Sequence, residues 1–304
     1  MNALACYPAH SLRFLGTAGA RFATMHQMRA SGGLWFSYGG FRGVVDPGPG
    51  CLVHLCSAVP ELNPTALDGV LLSHRHIDHC TDMNVLVEAM MEGGFVQRGT
   101  VALPEDALRG EEPVLLQYLA RKVENLHTWR DGTRLSLGDR AEVEAVGLLH
   151  HGVQCYGMVF RGEGLPPWGI ISDTRPFAAL AERFSCCDIL VLNVTLQREL
   201  PGLDHFAIPD VERLLQEMAP RVLLLTHLGR GILSRDPETL ASSLGSGRTD
   251  VVAARDGLVV DLQAGTLHPG GSFAPAWGSH TERFLKETTV SISPEPSSKE
   301  VLPS

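Results

Sequence analysis

The sequence predicts an α/β fold. Short apolar runs of strand length alternate with turns rich in Gly, Pro and Asp, and helical patterns follow several of these turns. This alternation is typical of β-sheets covered by helices. A chain of 304 residues with 44% hydrophobic side chains can also bury a sizeable core. We therefore expect helices layered on sheets.

Strands are predicted first at residues 12–16, 33–37 and 41–45. Each of these segments is rich in aliphatic or aromatic side chains. The third segment runs into residues 46–50, where Asp, Pro and Gly alternate and favour a rigid turn. The first half of the chain should therefore open with a sheet.

Helices are predicted where apolar side chains recur every three or four residues. This spacing indicates a helix over residues 82–91, which Gly93-Gly94 should end, and a second helix over residues 112–123. A third should begin at Pro209, because proline fits the first turn of a helix, and should be followed by a strand over residues 221–226.

Composition and charge bear on partners and location. The formal net charge is −9 and no run of Lys or Arg is present, which favours a small substrate over long nucleic acid. A bound metal would make its site locally positive, so we expect that small substrate to be anionic. The apolar stretches are too short to span a bilayer, and the first residues lack a secretory pattern, so we expect a cytoplasmic protein. The sequence is compatible with a homodimer.

The seven cysteines predict neither a disulfide framework nor a thiolate metal site. Their number is odd and no CxxC spacing occurs.

The C-terminal tail, residues 276–304, becomes rich in Ser, Pro, Glu and Thr from about residue 286. Such a segment has little to bury, and we expect it to be disordered.

Three imidazoles and one carboxylate occupy six positions directly after an apolar run. They are His74, His76, Asp78 and His79. Imidazole suits zinc and similar divalent metals, and a carboxylate adds the charge that a second ion requires. Solvated histidines in a polar loop are the alternative, but four donors at this density favour metal. Six consecutive residues cannot all surround one ion, so other segments must supply further ligands.

Further candidate ligands stand where apolar runs end. His150 and His151 follow residues 146–149, Asp173 follows the run that ends at Ser172, and His227 follows residues 222–226. Strand ends that meet at one edge of a sheet can hold side chains rigidly. We expect these residues to join the first cluster in a metal site.

In this order, the HxHxDH cluster, the strand-end aspartates and the later histidines resemble the metallo-β-lactamase superfamily. The resemblance runs from about residue 12 to residue 262. It implies an αββα four-layer sandwich of two mixed β-sheets, with two metal ions at one sheet edge. It also implies a single hydrolase domain over residues 1–275. The ions expected there are Zn²⁺, with Mn²⁺ or Fe²⁺ as alternatives.

The resemblance implies a set of seven metal ligands. One ion would be held by His74, His76 and His151, the other by Asp78, His79 and His227, and Asp173 would bridge both.

Two of the site assignments have alternatives. His150 and His151 compete for one ligand position, and we choose His151. The segment from His151 to Gly157 resembles a ribonuclease Z pattern, and His150 would point to the opposite side of an extended segment. Asp46 would orient metal ligands through hydrogen bonds, although it could equally be a turn aspartate.

His205 indicates a branch of the superfamily. Ribonuclease Z and the phosphoribosyl cyclic phosphodiesterases resemble this layout, with a histidine ahead of a helix and of a strand that ends in a Thr-His pair. In those families the histidine assists at the leaving side of the phosphate. The alternative is a solvated loop histidine. The chain departs from ribonuclease Z at Asn193, where that family has Glu. The segment between His151 and Asp173 is also too short for the long arm that grips transfer RNA in some of those enzymes.

We therefore predict a dinuclear metal-dependent hydrolase, specifically a phosphodiesterase that cleaves a small or cyclic phosphodiester through a hydroxide held between two metals. Asp78, Asp173 and His205 would be the catalytic residues. A ribonuclease Z-like nuclease and a thioester or lactone hydrolase are the alternatives. A non-catalytic scaffold is disfavoured because such a relative would be expected to lose ligands.

Overall fold

Two β-sheets lie face to face with helices on their outer surfaces. The computed structural model describes residues 6–245 and 247–269. The predicted tail, residues 276–304, lies outside the described residues. Within them, the sheets and flanking helices confirm the predicted αββα sandwich.

The bounds of the elements follow the chain. The strands are β1 (Ser11–Phe14), β2 (Leu34–Tyr38), β3 (Phe41–Val45), β4 (Gly69–Leu71), β5 (Thr100–Leu103), β6 (Asn125–Thr128), β7 (Arg134–Leu137), β8 (Ala141–His150), β9 (Val153–Gly162), β10 (Leu165–Ile171), β11 (Ile189–Asn193), β12 (Val222–Thr226), β13 (Asp250–Ala253), β14 (Val259–Asp261) and β15 (Leu267–His268). The helices are α1 (Ala20–Met25), α2 (Cys51–Cys56), α3 (Ile77–Cys80), α4 (Met83–Met90), α5 (Glu105–Arg109), α6 (Gln117–Ala120), α7 (Leu180–Phe184), α8 (Ile208–Glu217), α9 (Arg230–Leu233) and α10 (Pro237–Leu244), with one 3₁₀ turn at Pro64–Ala66. Across the part of the chain that the structure describes, no helix is both long and apolar enough to cross a bilayer.

Both sheets are mixed. The first has the order β15-β14-β1-β2-β3-β4-β5-β6, and its strands from β3 to β6 are parallel. The second has the order β13-β12-β11-β10-β9-β8-β7, and its strands from β10 to β13 are parallel. Parallel strands end at the same edge, so each sheet brings several loops together there.

Most predicted elements are present with shifted ends. The predicted first three strands are β1, β2 and β3, and the predicted strand before His227 is β12. The helix expected over residues 82–91 is α4, and the one expected from Pro209 is α8.

The predicted helix over residues 112–123 is wrong for most of its length, since only α6 is helical there. The Asn84 side chain explains the difference. Its amide donates to the carbonyl of Val114 at 2.9 Å, and its carbonyl accepts from the backbone N–H of Leu116 at 2.9 Å. These two bonds satisfy backbone groups that a helix would otherwise pair, and they hold the segment extended.

The space between the sheets is filled by aliphatic and aromatic side chains. Phe36 from the first sheet contacts Phe160 and Trp168 from the second, at ring-centroid distances of 5.1 and 5.7 Å. Phe160 and Trp168 stack at 3.9 Å, and all three are buried. Separate apolar layers lie between each sheet and its outer helices. Because the sheets position the loops at their edges, this central packing also fixes the geometry of the site.

Replacing Phe160 with Ala should lower the free energy of unfolding by about 3–5 kcal/mol, because the change removes a buried ring and leaves a cavity between the sheets. Chemical denaturation monitored by circular dichroism measures this change. Phe95→Ala is the matched control, since Phe95 is 92% exposed and should shift the stability by less than about 0.5 kcal/mol. Equal effects of the two substitutions would contradict the central role of Phe160.

Candidate metal centre

One edge of the sandwich gathers the predicted site residues. They come from loops that follow different strands of both sheets, so residues distant in sequence meet there. The residues that follow or end these strands are Asp46 after β3, His74 after β4, His150 at the end of β8, Asp173 after β10 and His227 after β12.

Three imidazoles form the first half of the cluster. His76 Nδ1 lies 3.1 Å from His74 Nε2 and 3.0 Å from His150 Nε2. In a tetrahedral site with zinc–nitrogen distances of about 2.0–2.1 Å, two ligand nitrogens stand about 3.3 Å apart. The three nitrogens therefore have a spacing that suits one shared ion.

The second half contains two imidazoles and a carboxylate. His79 Nε2 lies 3.1 Å from His227 Nε2, and Asp78 Oδ2 lies 3.3 Å from the same His227 nitrogen. All three side chains converge closely enough to hold a metal ion. Asp78 and His79 belong to the short helix α3, which begins directly after His76, and the His79 ring centroid lies 4.1 Å from that of His74.

Asp173 lies between the two halves. Its Oδ2 is 3.4 Å from His79 Nε2 and 3.7 Å from His150 Nε2, while its Oδ1 is 3.3 Å from His227 Nδ1. The carboxylate is almost completely buried. A buried carboxylate next to both donor sets is suited to contact two cations at once.

The structure places His150, and not the predicted His151, beside His74 and His76. The two side chains do point in different directions, as expected for neighbours at a strand end, but the inward one is His150. It is the last residue of β8 and is 3% exposed, whereas His151 begins the turn with φ of 44° and is partly exposed. This geometry favours His150 over His151 for the ligand position beside His74 and His76.

Hydrogen bonds at the opposite nitrogens determine which nitrogen carries a lone pair. His79 Nδ1 lies 2.9 Å from Asp46 Oδ2, and His150 Nδ1 lies 2.8 Å from the carbonyl oxygen of Asp204. Both oxygens can only accept, so in each neutral ring Nδ1 donates and Nε2 bears the lone pair. His227 Nδ1 lies 2.9 Å from the Thr195 hydroxyl, which can accept from it while donating to the His227 carbonyl at 3.4 Å.

The lone pairs of His79 and His227 consequently point at each other across 3.1 Å. Two lone pairs at this distance repel unless a cation or a proton lies between them. Burial alone would lower the pKa of His79, but the charges of Asp173, Asp46 and Asp78 outweigh burial and hold that pKa well above its usual range. The pocket therefore favours positive charge, which fits a divalent metal.

Asp46 acts on the cluster through hydrogen bonds. Its carboxylate accepts from the Ser73 backbone N–H at 2.6 Å, from the Ser73 hydroxyl at 2.7 Å and from His79 Nδ1 at 2.9 Å. The Ser172 hydroxyl donates to the Ser73 hydroxyl at 2.8 Å. This network fixes the His79 ring and also reaches His74, whose Nδ1 is 2.9 Å from the Ser73 hydroxyl.

Sequence reasoning missed Ser73, Ser172 and Thr195. The first two each stand directly before a candidate ligand, and all three hydroxyls contact a candidate ligand or Asp46. A small hydroxyl residue adjoining a strand-end ligand was the signal available. It is a weak one, because Ser and Thr are common in loops for other reasons.

Three of the loops begin with strained backbone. Asp46, His151 and His227 have φ of 53°, 44° and 56°, in the left-handed region that favours glycine. Such conformations cost roughly 1–3 kcal/mol each and persist where the surrounding structure enforces them. Gly19 leaves the space that His227 occupies, because a Cβ atom there would collide with the His227 ring and carbonyl.

His205 lies on the open side of the cluster, in the loop between β11 and α8. Its Nδ1 is 3.6 Å from Asp173 Oδ2, and its ring centroid is 4.9 Å from that of His150. Burial is the main influence on this side chain and lowers its pKa, so the ring is neutral near pH 7. Asn193 donates from Nδ2 to Asp173 Oδ1 at 3.0 Å, and among the described residues no hydrogen bond joins it to His205.

Comparison with known proteins agrees with this architecture. Residues 42–228 match the model of the β-lactamase superfamily domain. An uncharacterized protein of Methanocaldococcus jannaschii is 30% identical over 258 residues, which cover 83% of this chain and 95% of that protein.

Solved structures share the fold. A diphosphatase of the PhnP family superposes with a TM-score of 0.63 at 17% identity, covering 83% of this chain and 97% of the other. The short form of human tRNase Z superposes with a TM-score of 0.62 at 14% identity, covering 83% and 99%. The family match, with the gathered imidazoles and carboxylates, identifies the chain as a member of the metallo-β-lactamase superfamily and as a metal-dependent hydrolase.

Proposed function

We propose that the protein is a phosphodiesterase that binds two divalent metal ions and hydrolyses a small or cyclic phosphodiester. The observation that carries the proposal is His205, a largely buried imidazole beside Asp173 on the open side of the cluster. A donor at that position can reach the oxygen that leaves phosphorus without displacing any metal ligand. The net charge of −9 and the absence of a basic run favour a small substrate over long nucleic acid.

The proposed ligand set differs from the sequence prediction at one residue. His74, His76 and His150 would hold one ion, since their three nitrogens converge. The second ion would be held by Asp78, His79 and His227, with Asp173 contacting both. This donor set is dominated by imidazole and suits Zn²⁺. When bound, two such ions activate water and neutralise charge on the phosphoryl oxygens.

The chain's own residues would orient the reaction. Asn193 holds one oxygen of Asp173 in place through its amide, which leaves the other oxygen directed toward His79 and His205. Asp46 fixes the rings of His79 and His74 through the Ser73 network. His205, whose Nδ1 lies 3.6 Å from Asp173 Oδ2, would donate a hydrogen bond from its neutral ring to the leaving oxygen.

Two solved structures with the same fold are compatible with the proposal. The PhnP-family structure is described as a diphosphatase, and the human enzyme as tRNase Z, so both names refer to phosphate ester or anhydride substrates. Their sequence identities to this chain are low, and their contribution to the proposal is limited to the shared fold. The position of His205 is what directs the proposal to phosphorus chemistry.

His150→Ala should reduce the zinc bound per chain to about one ion, because a three-imidazole site loses a ligand. His151→Ala should leave the metal content near two ions, because its ring lies outside the three-nitrogen group. Metal analysis of both variants after equilibration with Zn²⁺ provides the measurement. The reverse pattern would reinstate His151 as the ligand.

Asp46→Asn should weaken zinc binding by about 10–100-fold while preserving the fold, since the amide has nearly the same shape but pairs poorly with the Nδ1–H of His79. Competition with a chromophoric chelator measures the affinity. Asp188→Asn serves as a control, because Asp188 pairs with Arg221 just before β11, at the strand end opposite Asn193. Unchanged affinity in Asp46→Asn would refute the orienting role.

His205→Ala should lower kcat for a phosphodiester by about 10²-fold or more, and the loss should be larger for an alkoxide leaving group than for p-nitrophenolate. A poor leaving group develops more negative charge on its oxygen and therefore depends more on a hydrogen-bond donor. The assay compares bis-p-nitrophenyl phosphate, methyl p-nitrophenyl phosphate and cyclic nucleotides with lactone and thioester substrates. Turnover confined to the lactones and thioesters would overturn the proposed function.

A further inference from the structure

A pair of adjacent cysteines lies at the end of β11 that is opposite the metal centre. Cys186 and Cys187 connect α7 to the start of β11, whereas Asn193, which contacts Asp173, ends that strand. β11 alone is about 13 Å long. Cys186 is exposed, and Cys187 is 3% exposed. The two thiols therefore differ in their access to reagents in solution.

Arg161 places a positive charge beside the exposed thiol. Its Nη2 donates to Cys186 Sγ at 3.4 Å, and its Nη1 donates to Glu144 Oε2 at 2.9 Å. The Glu144 carboxylate thus holds the guanidinium in an orientation that directs its second nitrogen at the sulfur. Because a guanidinium stays protonated, the Cys186 sulfur faces a permanent cation.

The Cys187 thiol is a second donor to the Cys186 sulfur. Its own sulfur is buried against β10, where Gly169 leaves the space for it, since a Cβ atom at Gly169 would stand 2.8 Å from Cys187 Sγ. The hydrogen bond to Cys186, together with burial, holds the pKa of Cys187 well above its usual range. Cys187 therefore remains a protonated donor in a fixed position.

These contacts favour the ionised form of Cys186. The hydrogen bond from Cys187 has the largest influence on its pKa, partial burial opposes it, and the charge and N–H of Arg161 act in the same direction as Cys187. Together they lower the pKa of Cys186 to about 6. The sulfur is then mostly thiolate at neutral pH, and the thiolate is the nucleophilic form of cysteine. A thiol attacks disulfides best when its pKa lies near the ambient pH.

Burial protects several of the other cysteines. It raises the pKa of Cys51 to about 12 and that of Cys80 to about 11, and it holds the pKa of Cys155 well above its usual range. These side chains are neutral thiols near pH 7 and are poor nucleophiles. The environment of Cys186 thus distinguishes it from cysteines that serve packing.

We propose that Cys186 is a site of reversible S-thiolation, at which its sulfur exchanges with a small-molecule disulfide. The Cys186 thiolate attacks one sulfur of the disulfide, a new S–S bond forms at Cys186, and the original S–S bond breaks. The leaving thiolate departs with the electron pair of that bond and takes a proton from solvent, so Cys186 is oxidised and the leaving half is reduced. Cys187 keeps its proton and closes no disulfide with Cys186. The reaction requires neither the metal ions nor the proposed phosphodiesterase function.

The first test treats the full-length, zinc-loaded protein with glutathione disulfide at pH 7 and locates adducts by peptide mass spectrometry. One glutathione should attach at Cys186, and dithiothreitol should remove it. Cys186→Ser should abolish this adduct. Cys6→Ser is the matched control, since it removes another exposed thiol, and it should retain the adduct. Adducts at other cysteines with Cys186 unmodified would overturn the proposal, and so would a disulfide between Cys186 and Cys187 without an adduct.

The second test measures the rate at which iodoacetamide alkylates Cys186 as a function of pH. In the wild type the rate should reach half its maximum near pH 6, because only the thiolate reacts. Arg161→Gln removes the guanidinium charge and should raise this midpoint by about one pH unit. Arg134→Gln is the matched control, since Arg134 pairs with the same Glu144 carboxylate at 2.9 Å, and it should leave the midpoint in place.

Cys187→Ala tests the second donor and should also raise the midpoint for Cys186. Circular dichroism and zinc content establish that each variant is folded, and Arg161→Gln provides the decisive comparison if Cys187→Ala disturbs the packing. A wild-type midpoint near the ordinary thiol value of about 8.5 would refute the proposed site. An unchanged midpoint in Arg161→Gln would also refute it, because the guanidinium would then have no influence on the sulfur.

Discussion

Facing imidazole lone pairs are the constraint on which the site depends. When Asp46 and Thr195 accept the Nδ1 protons of His79 and His227, the Nε2 lone pairs of these rings oppose each other across 3.1 Å. Only a cation or a proton relieves the repulsion. The carboxylates of Asp78 and Asp173 add negative charge to the same space. The donor groups therefore form a site that strongly favours a bound cation, and this site lies in a largely apolar sandwich.

The packing of the two sheets holds these buried polar groups in place. Buried charges are costly unless they are paired or bind metal, so the donors must be held rigidly in position. The stacked rings of Phe160 and Trp168 fix the second sheet against Phe36 of the first. Strained turns at the strand ends then direct side chains inward. Packing energy distant from the site is thus what keeps the polar groups in place.

Much of this structure could be predicted from the sequence because the candidate ligands lie close together in the chain or directly follow apolar runs. The HxHxDH cluster and the strand-end positions of Asp173 and His227 could be recognised from residue type and apolar runs alone. The choice between His150 and His151 depended on the residue at which β8 ends, and periodicity does not locate a strand end to one position.

Other features depended on contacts between segments far apart in the chain. The predicted helix over residues 112–123 fails because Asn84, some thirty residues earlier, bonds to its backbone. The hydroxyls of Ser73, Ser172 and Thr195 acquire their roles only when both sheets are assembled. Asp204 likewise contacts residues of two other loops, His151 and Arg175. No local pattern encodes such contacts.

The wide sequence separation of the site residues has a consequence for folding. Asp46 and His227 belong to different sheets and lie near opposite ends of the sandwich's sequence. Closing the loops between them costs chain entropy, which must be offset before the cavity exists. Metal would therefore bind the native state and not the unfolded chain. The resulting linkage makes the stability of the whole sandwich a function of free metal concentration, so a chain of this design would resist unfolding and proteolysis best where metal is abundant.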